Sequence, residues 1–467
     1  MSDIEEHRKK IEGITLEMIK LLKTRTDIAK QIGDAKASLG MTVTDEERED
    51  TLRTQVTKLC KEIDLDQSTA LKFLNLLLNE SVKVQSDNKQ THLSVFLKAK
   101  ALEEEGKKII HLEVGEPDFK PPKGVKIALA EVYNNYGKYG PAKGITELRK
   151  ELIPYNRYMP TSSYSATIGN IMICPGARFA VYLAINTLLN PGDEIIVIEP
   201  AWPAYKDCAL NAGIKVRTIK TTLETKWEPS DEEIYNTINE NTKMIVLNYP
   251  NNPTGKILPR KLLDSIVQIA KEHDLYILSD EIYDYYYTDG DLQSPDIWTE
   301  YGYEKTIVTK SFSKSYAMTG YRIGWVIAEP SIIEKMSKLQ ALSLTNVSEP
   351  IQYVALKAMT STTTGSSYVG DNTELVRSRL EALVKIAKDI GLEFIETEGA
   401  MYLFAKTKYK DFDATKFSER LLEHGVAIAP GEGFGDYKEF FRITAIDETK
   451  LKEGMTILDS VLKESYG

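Results

Sequence analysis

Apolar residues recur at helical spacing through the N-terminal part of the chain. Between residues 3 and 38, one face repeats every seven positions: Ile4, Ile11, Met18 and Ile32. This period predicts one long helix. A second helix is predicted after the capping-box segment Thr44-Asp-Glu-Glu47, and a third over roughly residues 68–85. So thin a bundle needs a partner chain to bury its apolar stripes.

Beyond residue 91 the pattern changes to short apolar runs separated by helical stretches. The runs are Ile171–Cys174, Glu194–Ile198, Met244–Leu247, Tyr276–Leu278 and Ile307–Val308. Unbroken apolar strands between helices indicate a mostly parallel sheet with both faces covered. The polar segment 86–91 contains no apolar residue and marks the joint, so we expect a helical domain at 1–88 and a second domain at 89–467.

Composition narrows the classes of partner. A formal net charge of −10 argues against a general binder of nucleic acid or anionic membranes, and no apolar run is long enough to span a membrane. The N-terminus lacks the layout of a signal peptide. The three scattered cysteines, Cys60, Cys174 and Cys208, form neither a disulfide framework nor a metal pattern. We therefore expect a cytoplasmic protein without a metal.

Several charged residues interrupt the apolar faces of the predicted helices. Arg25 occupies a position of the seven-residue repeat, and Lys36 lies eleven residues later, within about 20° of it on a helix. Arg8 lies on the neighbouring stripe. Cations on an inward face are costly unless an anion meets them, so a small polycarboxylate is the expected ligand.

This pattern resembles the all-helical class of chorismate mutases, which fold as intertwined dimers. The resemblance implies a site made of Arg8, Arg25, Lys36, Asp45, Arg48, Glu49, Ser81 and Gln85. Seventeen residues at about 1.5 Å each put Arg8 about 25 Å along the helix from Arg25. One chain cannot bring both to one ligand, so Arg8 is expected to serve the pocket of the partner subunit.

The reaction implied is a pericyclic rearrangement of chorismate to prephenate, without a nucleophile. Catalysis would come from holding a chair-like conformer and placing donors against charge that develops on the ether oxygen. The alternative is a charged helical module that only dimerises.

In the second domain the segment Ser311–Trp325 lies between two strand-like runs and contains Lys314 among serines. This arrangement suits a pyridoxal phosphate (PLP) anchor, in which the Lys314 amine forms a Schiff base and Ser311, Ser313 and Arg322 hold the phosphate. Arginine fits that role because its planar group offers paired donors to an oxyanion. An exposed lysine in a polar loop is the alternative.

Further polar motifs lie at strand ends, where open α/β sheets bind ligands. They are Pro175-Gly-Ala-Arg178, Asn248–Gly255 and Ser279–Tyr283. Together with the Lys314 segment, they resemble the fold-type I aminotransferases of class I/II over residues 90–467. That resemblance implies a large cofactor domain at about 130–340 and a smaller α/β domain formed by 89–129 and 341–467.

The same resemblance implies a role for each motif residue. Asp280 would pair with the pyridine nitrogen, Asn252 and Tyr283 with the phenolate oxygen, and Trp202 would stack on the ring. The residues expected to bind the phosphate are Gly176, Ala177, Arg178, Ser311, Ser313, Arg322 and, reaching the cofactor of the neighbouring subunit, Tyr139. Arg442, helped by the Gly115 amide, would bind the substrate α-carboxylate.

Lys138 falls where one subgroup of the family carries a lysine that meets a distal carboxylate. It therefore favours dicarboxylic substrates, namely aspartate, glutamate or prephenate; the alternative is a solvated lysine.

The favoured interpretation is a homodimeric bifunctional enzyme of aromatic amino-acid biosynthesis that makes prephenate and transaminates it to arogenate, with aspartate or glutamate as donor. Transamination of phenylpyruvate and hydroxyphenylpyruvate, the decay products of prephenate, to phenylalanine and tyrosine is the alternative. An aspartate or aromatic aminotransferase with a tethered mutase is the rival within the class. A DNA-binding regulator is disfavoured because residues 1–90 hold 15 basic against 17 acidic residues. A helical domain that only senses chorismate or aromatic amino acids stays open.

Overall fold

A computed structural model of the chain describes residues 2–38, 46–86, 92–135, 138–153, 166–287, 301–360 and 368–467. Residue contacts divide the chain into two compact units. The first comprises residues 1–89 with the short segments 190–192 and 210–214, and the second comprises the rest. Within the described part, no helix is both long and apolar enough to cross a membrane.

The first unit is built from three helices. They are α1 (Ser2–Ser38), α2 (Glu46–Ile63) and α3 (Gln67–Ser86), and both α1 and α2 pack against α3. The three predicted helices are thereby confirmed. The capping box predicted at Thr44 lies outside the described residues.

The first helix leaves most of its apolar side chains in solvent. The large exposed ones are Ile4, Ile11, Ile14, Leu16, Met18, Ile19, Leu21, Ile28 and Ile32. Ile11 and Leu21, for example, are 65% and 64% exposed. Ala29 alone is buried among the α1 side chains that the structure describes. The helix therefore has a long apolar surface that one copy of the unit does not cover.

The second unit contains a seven-stranded sheet in the order β2-β8-β7-β6-β5-β3-β4. Its strands are β2 (Ile171–Cys174), β3 (Glu194–Glu199), β4 (Lys215–Lys220), β5 (Thr242–Leu247), β6 (Tyr276–Asp280), β7 (Thr306–Ser311) and β8 (Gly324–Ile327). Five neighbouring strands, from β7 to β4, are parallel, and β8 pairs antiparallel with β2 and β7. The mostly parallel sheet is thus confirmed.

The central strands of this sheet are buried along their whole length, as expected for a sheet that helices cover. The helices from α4 to α11 are α4 (His92–Glu104), α5 (Lys123–Asn135), α6 (Thr146–Leu152), α7 (Ala177–Leu188), α8 (Ala204–Asn211), α9 (Asp231–Thr237), α10 (Arg260–Glu272) and α11 (Phe312–Ser315). Those that follow are α12 (Pro330–Leu344), α13 (Glu349–Thr360), α14 (Tyr368–Asp389), α15 (Ala414–Glu423) and α16 (Glu448–Tyr466).

Two smaller sheets complete the second unit. β1 (Ile110–His111) pairs in parallel with β11 (Val426–Ala427). The other sheet is antiparallel, in the order β12-β13-β10-β9. Its strands are β9 (Glu393–Phe394), β10 (Tyr402–Lys406), β12 (Ala429–Pro430) and β13 (Phe440–Thr444). These strands and helices α14 to α16 enclose a separate apolar core.

Polar residues end or follow three adjacent parallel strands of the large sheet. Asn248 follows β5, Asp280 is the last residue of β6, and Ser311 is the last residue of β7. Since the carboxyl ends of parallel strands lie at one edge, the fold gathers these side chains there.

Candidate active sites

Asp280 is the most deeply buried acid at this edge, with 1% of its surface exposed. Its carboxylate accepts hydrogen bonds from the Tyr205 hydroxyl at 2.7 Å and from Thr309 Oγ1 at 3.0 Å. Burial raises the pKa of Asp280 to about 6, whereas these two hydrogen bonds act in the opposite direction. Asn248 fixes the main chain, because its Nδ2 donates to the Asp280 carbonyl at 2.9 Å. Asp280 is therefore a rigidly held acid that a nearby cation would ionise.

An anion cradle lies beside the start of α7. The hydroxyls of Ser311 and Ser313 are 2.8 Å apart, and the main-chain amide of Ser313 donates to Ser311 Oγ at 3.1 Å. Gly176 precedes α7 with a φ of 84°, and a Cβ there would lie 2.6 Å from Arg322 Nη2. Only glycine suits both the left-handed backbone and this close approach.

Two guanidinium groups complete the cradle. Burial lowers the pKa of Arg322, and the nearby charge of Arg178 lowers it further. Arg322 Nη1 donates to the Thr319 carbonyl at 2.8 Å, and Arg178 lies 4.7 Å over the ring of Trp202. Two like charges beside a helix N-terminus and two hydroxyls form the donor set that suits a phosphate.

Lys314 lies on α11, directly after Ser313 of the cradle. Its Nζ donates to the Gly115 carbonyl and lies 5.8 Å from the centre of the Tyr283 ring. Its own carbonyl accepts a hydrogen bond from the Tyr286 hydroxyl at 2.6 Å. The charge of Lys314 is close enough to Asp280 to lower the pKa of that carboxyl. The anchor lysine and the buried acid therefore face one site.

Tyr283 belongs to a pair of buried hydroxyls. Its hydroxyl lies 2.6 Å from that of Tyr402, and burial, followed by the Tyr402 charge, raises the pKa of Tyr283. A Cβ on Gly115 would lie 2.2 Å from the Tyr402 oxygen, so the Gly115 main chain passes directly over this pair.

Arg442 reaches the same site from β13 of the smaller sheet. It is buried, and its Nη1 donates to Asn252 Oδ1 at 2.7 Å while its Nη2 donates to the Glu113 carbonyl. Its guanidinium carbon lies 4.3 Å from the Tyr402 ring centre. Among the described residues, Arg442 Nε has no hydrogen-bond partner. A buried arginine with a spare donor suits an incoming carboxylate.

Lys138 and Tyr139 lie on the surface, with Tyr139 87% exposed. Ala177 is buried at the first position of α7, and Trp202 packs edge-on against Tyr205 at 5.4 Å between ring centres. The structure therefore gathers the predicted cofactor residues in one place but leaves Tyr139 facing outwards.

In the helical unit, Arg25 is the best-defined member of the predicted set. Its Nη1 donates to the Leu77 carbonyl at 2.6 Å and to Ser81 Oγ at 2.5 Å, so α1 and α3 bring these two residues together. Partial burial lowers the pKa of Arg25. Arg8 is exposed and forms a local ion pair with Glu5 at 3.6 Å.

The remaining members of this set are less fully described. Lys36 is half-buried near the end of α1, Arg48 is exposed on α2, and Glu49 is half-buried beside it. Asp45 lies outside the described residues, as does the side chain of Gln85 on α3.

Two family models match this chain, one over its N-terminal part and one over most of the rest. The model for chorismate mutase type II matches residues 7–86, and the model for aminotransferase class I and II matches residues 107–458. The chain belongs to the aminotransferase class I and II family. It also carries an N-terminal chorismate mutase domain, so it is an enzyme with isomerase and transferase activities.

Individual relatives cover nearly the whole aminotransferase part. An aspartate aminotransferase of Pyrococcus horikoshii is 36% identical over 360 residues, 76% of this chain and 91% of the relative. An aspartate/prephenate aminotransferase of Thermus thermophilus is 31% identical over 383 residues, 82% of this chain and 98% of the relative. The solved aspartate aminotransferase of Thermus thermophilus with maleate superposes with a TM-score of 0.75 at 31% identity, covering 81% of this chain and 98% of that one.

The aminotransferase is PLP-dependent, and its residues fit that cofactor. The cradle formed by Gly176, Ser311 and Arg322 suits a phosphate, and the buried Asp280 suits a protonated pyridine nitrogen. The Lys314 amine donates to the Gly115 main-chain carbonyl, and its charge acts on Asp280. The group would supply an electron sink for the substrate Cα when bound.

Sequence reasoning missed several residues of this site. Tyr205 and Thr309 hold Asp280, Tyr402 pairs with Tyr283, and the Glu113 carbonyl holds Arg442. Tyr205 lies three positions after Trp202, at the end of the segment Pro200-Ala-Trp-Pro-Ala-Tyr205, which is the signal that could have found it. Glu113 accepts the hydrogen bond from Arg442 with its main-chain carbonyl, which every residue has, so the sequence gives no signal for this contact.

Proposed function

We propose that this enzyme converts chorismate to prephenate and then transaminates prephenate to arogenate, with aspartate or glutamate as amino donor. The observation that carries the proposal is the presence of both family matches in one chain. Prephenate has a pyruvyl group, which is a 2-oxo acid, and an aminotransferase acts on 2-oxo acids. The relative named for aspartate and prephenate supports the same substrate pair.

Two charged residues would recognise the ends of a dicarboxylic substrate. Arg442, with its spare Nε, would bind the α-carboxylate, assisted by the Gly115 amide. Lys138, exposed in one chain, would meet the distal carboxylate. The solved relative with maleate, a dicarboxylate, supports a two-ended site.

The surrounding residues would tune the reaction. Asp280, held by Tyr205 and Thr309, would keep a proton on the pyridine nitrogen, because a buried carboxylate strongly favours an adjacent cation. Asn252 and Tyr283 would donate to the phenolate oxygen, and Trp202 would cover the ring. Gly176, Ala177, Arg178, Ser311, Ser313 and Arg322 would hold the phosphate, with Tyr139 of the partner subunit.

The mutase site would act by binding and orientation alone. Arg25, fixed by Ser81 and the Leu77 carbonyl, would hold one carboxylate of chorismate together with Lys36. Arg8 of the partner subunit would reach this pocket, a role that its exposure on α1 and the uncovered apolar stripe support. Asp45, Arg48, Glu49, Ser81 and Gln85 would complete the site.

The same reasoning assigns a homodimer with domains at 1–88 and 89–467, the latter divided into a cofactor part at about 130–340 and a smaller part. We place the protein in the cytoplasm, since Cys60, Cys174 and Cys208 are all free thiols.

A second candidate is an aspartate aminotransferase that is only tethered to the mutase. The relative from Pyrococcus horikoshii, which is named for aspartate alone, favours it.

The test is to supply chorismate with aspartate or glutamate to the purified enzyme and to identify every product. Arogenate formation, with a kcat/KM for prephenate at least as high as for oxaloacetate, supports the proposal. Prephenate that accumulates, while a parallel assay with added 2-oxoglutarate shows transamination of aspartate, supports the tethered arrangement. Chorismate that is bound but not converted would make the helical domain a sensor.

A further inference from the structure

His111 on β1 lies between two carboxylates. Its Nδ1 is 2.8 Å from Glu113 Oε1, and its Nε2 is 3.2 Å from Glu103 Oε1. The Glu113 side chain has no exposed surface, and its Oε2 has no hydrogen-bond partner among the described residues. A buried carboxylate is costly unless a positive group compensates it, and the His111 ring is the group in contact.

The main chain of Glu113 belongs to the candidate substrate site. Its carbonyl accepts from Arg442 Nη2, while the other terminal nitrogen donates to Asn252. Two residues further on, the Gly115 carbonyl accepts from Lys314 Nζ. The segment 113–115 thus sets one of the two acceptors that orient the Arg442 guanidinium.

The charges around His111 favour its protonated form. The hydrogen bond with Glu113 raises the pKa of His111, burial opposes this, and Glu103 adds a smaller increase. On α4, Lys100 pairs with Glu103 at 2.7 Å, and the charges of Glu113 and Glu116 also help to raise the pKa of Lys100.

The other neighbouring elements add little charge near the ring. β11 places Val426 and Ala427 opposite β1, and Gly454 of α16 packs against Ile110 and Leu112. Before β1, the exposed Lys108 pairs with Glu453 of α16 at 3.1 Å. The ring of Phe96 on α4 lies 6.2 Å from the His111 ring.

We propose that His111 is a positioning residue of the aminotransferase. Its imidazolium holds the buried Glu113 carboxylate and, through the Glu113 carbonyl, fixes Arg442 for the substrate α-carboxylate. This inference rests on the proposed function, in which Arg442 binds that carboxylate.

The pH dependence follows from the raised pKa of His111. The imidazolium is present below the ordinary histidine pKa and is lost as the pH rises through the raised value. Binding of the substrate carboxylate should therefore weaken as the pH rises. The kcat at saturating substrate should change little, because Arg442 binds the carboxylate equally in the ground state and the transition state.

The experiment measures the Kd of succinate, a non-reacting dicarboxylate, for the holoenzyme between about pH 6 and 9. Wild-type affinity should fall several-fold across this range. His111→Asn, which keeps a neutral donor near Glu113, should bind weakly at every pH without that slope. Glu113→Gln should also remove the slope. His424→Asn, at an exposed histidine that ends α15, is the matched control.

A second measurement needs no variant. Binding linkage is reciprocal, so succinate should raise the pKa of His111. The factor by which the proton dissociation constant falls should equal the factor by which protonation tightens succinate binding. NMR of labelled histidines measures the pKa of His111 with and without succinate. An unchanged His111 pKa on saturation, or a wild-type slope retained in His111→Asn, would overturn the inference.

Arg442→Ala separates this inference from the function on which it rests. If Arg442→Ala loses succinate binding but His111→Asn keeps the wild-type dependence of succinate affinity on pH, only the role of His111 is disproved. Retained succinate binding in Arg442→Ala defeats the proposed carboxylate site itself.

Discussion

The protonation of Asp280 is set first by its burial and then, in the opposite direction, by its two hydroxyl partners. Desolvation favours the neutral acid, and hydrogen bonds from Tyr205 and Thr309 favour the carboxylate. In the cofactor-free protein this carboxyl stabilises the fold most below its ordinary pKa, and that contribution is lost as the pH rises through about 6. A protonated pyridine nitrogen beside Asp280 would favour the ionised carboxylate and so lower this pKa.

Tyr205→Phe should raise the pKa of Asp280 further, because it removes the donor at 2.7 Å. A hydrogen bond to a charged group contributes about 1.5 kcal/mol, so kcat/KM for transamination should fall about tenfold. The pH at which the cofactor-free protein loses stability should move upwards in the same variant. Tyr235→Phe, at a tyrosine 54% exposed, is the control. Equal pH profiles for both variants would contradict the role assigned to Tyr205.

Lys138→Ala should lower kcat/KM for substrates with two carboxylates but not for substrates with one. Dicarboxylates, including prephenate, should lose about 1–3 kcal/mol of transition-state binding, as expected for an unpaired charge-assisted contact. Phenylpyruvate, which has one carboxylate, should be nearly unaffected. Measured kcat/KM values for prephenate, oxaloacetate and phenylpyruvate decide the matter. An equal loss on all three would make the lysine structural.

Among the elements, α1 differs from the others because it is helical over 37 residues yet buries little of its apolar surface. Its first half carries Arg8, and Arg25 contacts α3 about 25 Å further along. The helix therefore has the length to serve two separate pockets.

Mixing Arg8→Ala subunits with Arg25→Ala subunits should restore mutase activity that neither variant has alone. One of the two sites in each hybrid dimer receives both arginines, so equal mixing should recover about a quarter of wild-type turnover. The assay is prephenate formation after co-refolding, with hybrid dimers verified by mass. Hybrids without activity would place the whole site within one chain.

Local pattern sufficed for elements whose apolar residues recur regularly along the chain. The seven-residue repeat of α1 and the unbroken apolar run of β3 predicted both elements. β4 was missed because Lys215–Lys220 mixes charged and apolar residues, as suits the edge strand that it forms. Motifs likewise predicted Asp280 and Lys314 by residue type. The bonds from Tyr205 to Asp280 and from Arg442 to Glu113 depend on tertiary pairing, which no short motif encodes.

At the scale of the whole molecule, two reactions rest on separate sets of residues. The described members of the proposed mutase set lie on α1 to α3, and the proposed cofactor set belongs to the second unit. A substitution in one set should therefore leave the chemistry of the other intact.

Lys314→Ala should abolish transamination and the absorbance of the bound cofactor, while chorismate conversion stays within about twofold of wild type, since changes at sites that share no residues are expected to be additive. Arg25→Ala should have the opposite effect. Both activities are measured on the same preparations. Transamination that survives in Lys314→Ala would disprove the anchor.

The parallel pairing of β1 with β11 joins Ile110 to Val426, residues 316 positions apart. During synthesis at about 5–20 residues per second, β1 leaves the ribosome on the order of 15–60 s before its partner strand exists. Over that interval Ile110 and Leu112, buried in the finished protein, have no strand to cover them. The helical unit, whose residues 1–89 all emerge earlier, can fold meanwhile. The helices of the first unit can thus form before β1 is paired, whereas the aminotransferase half cannot complete this two-stranded sheet until Val426 has been made.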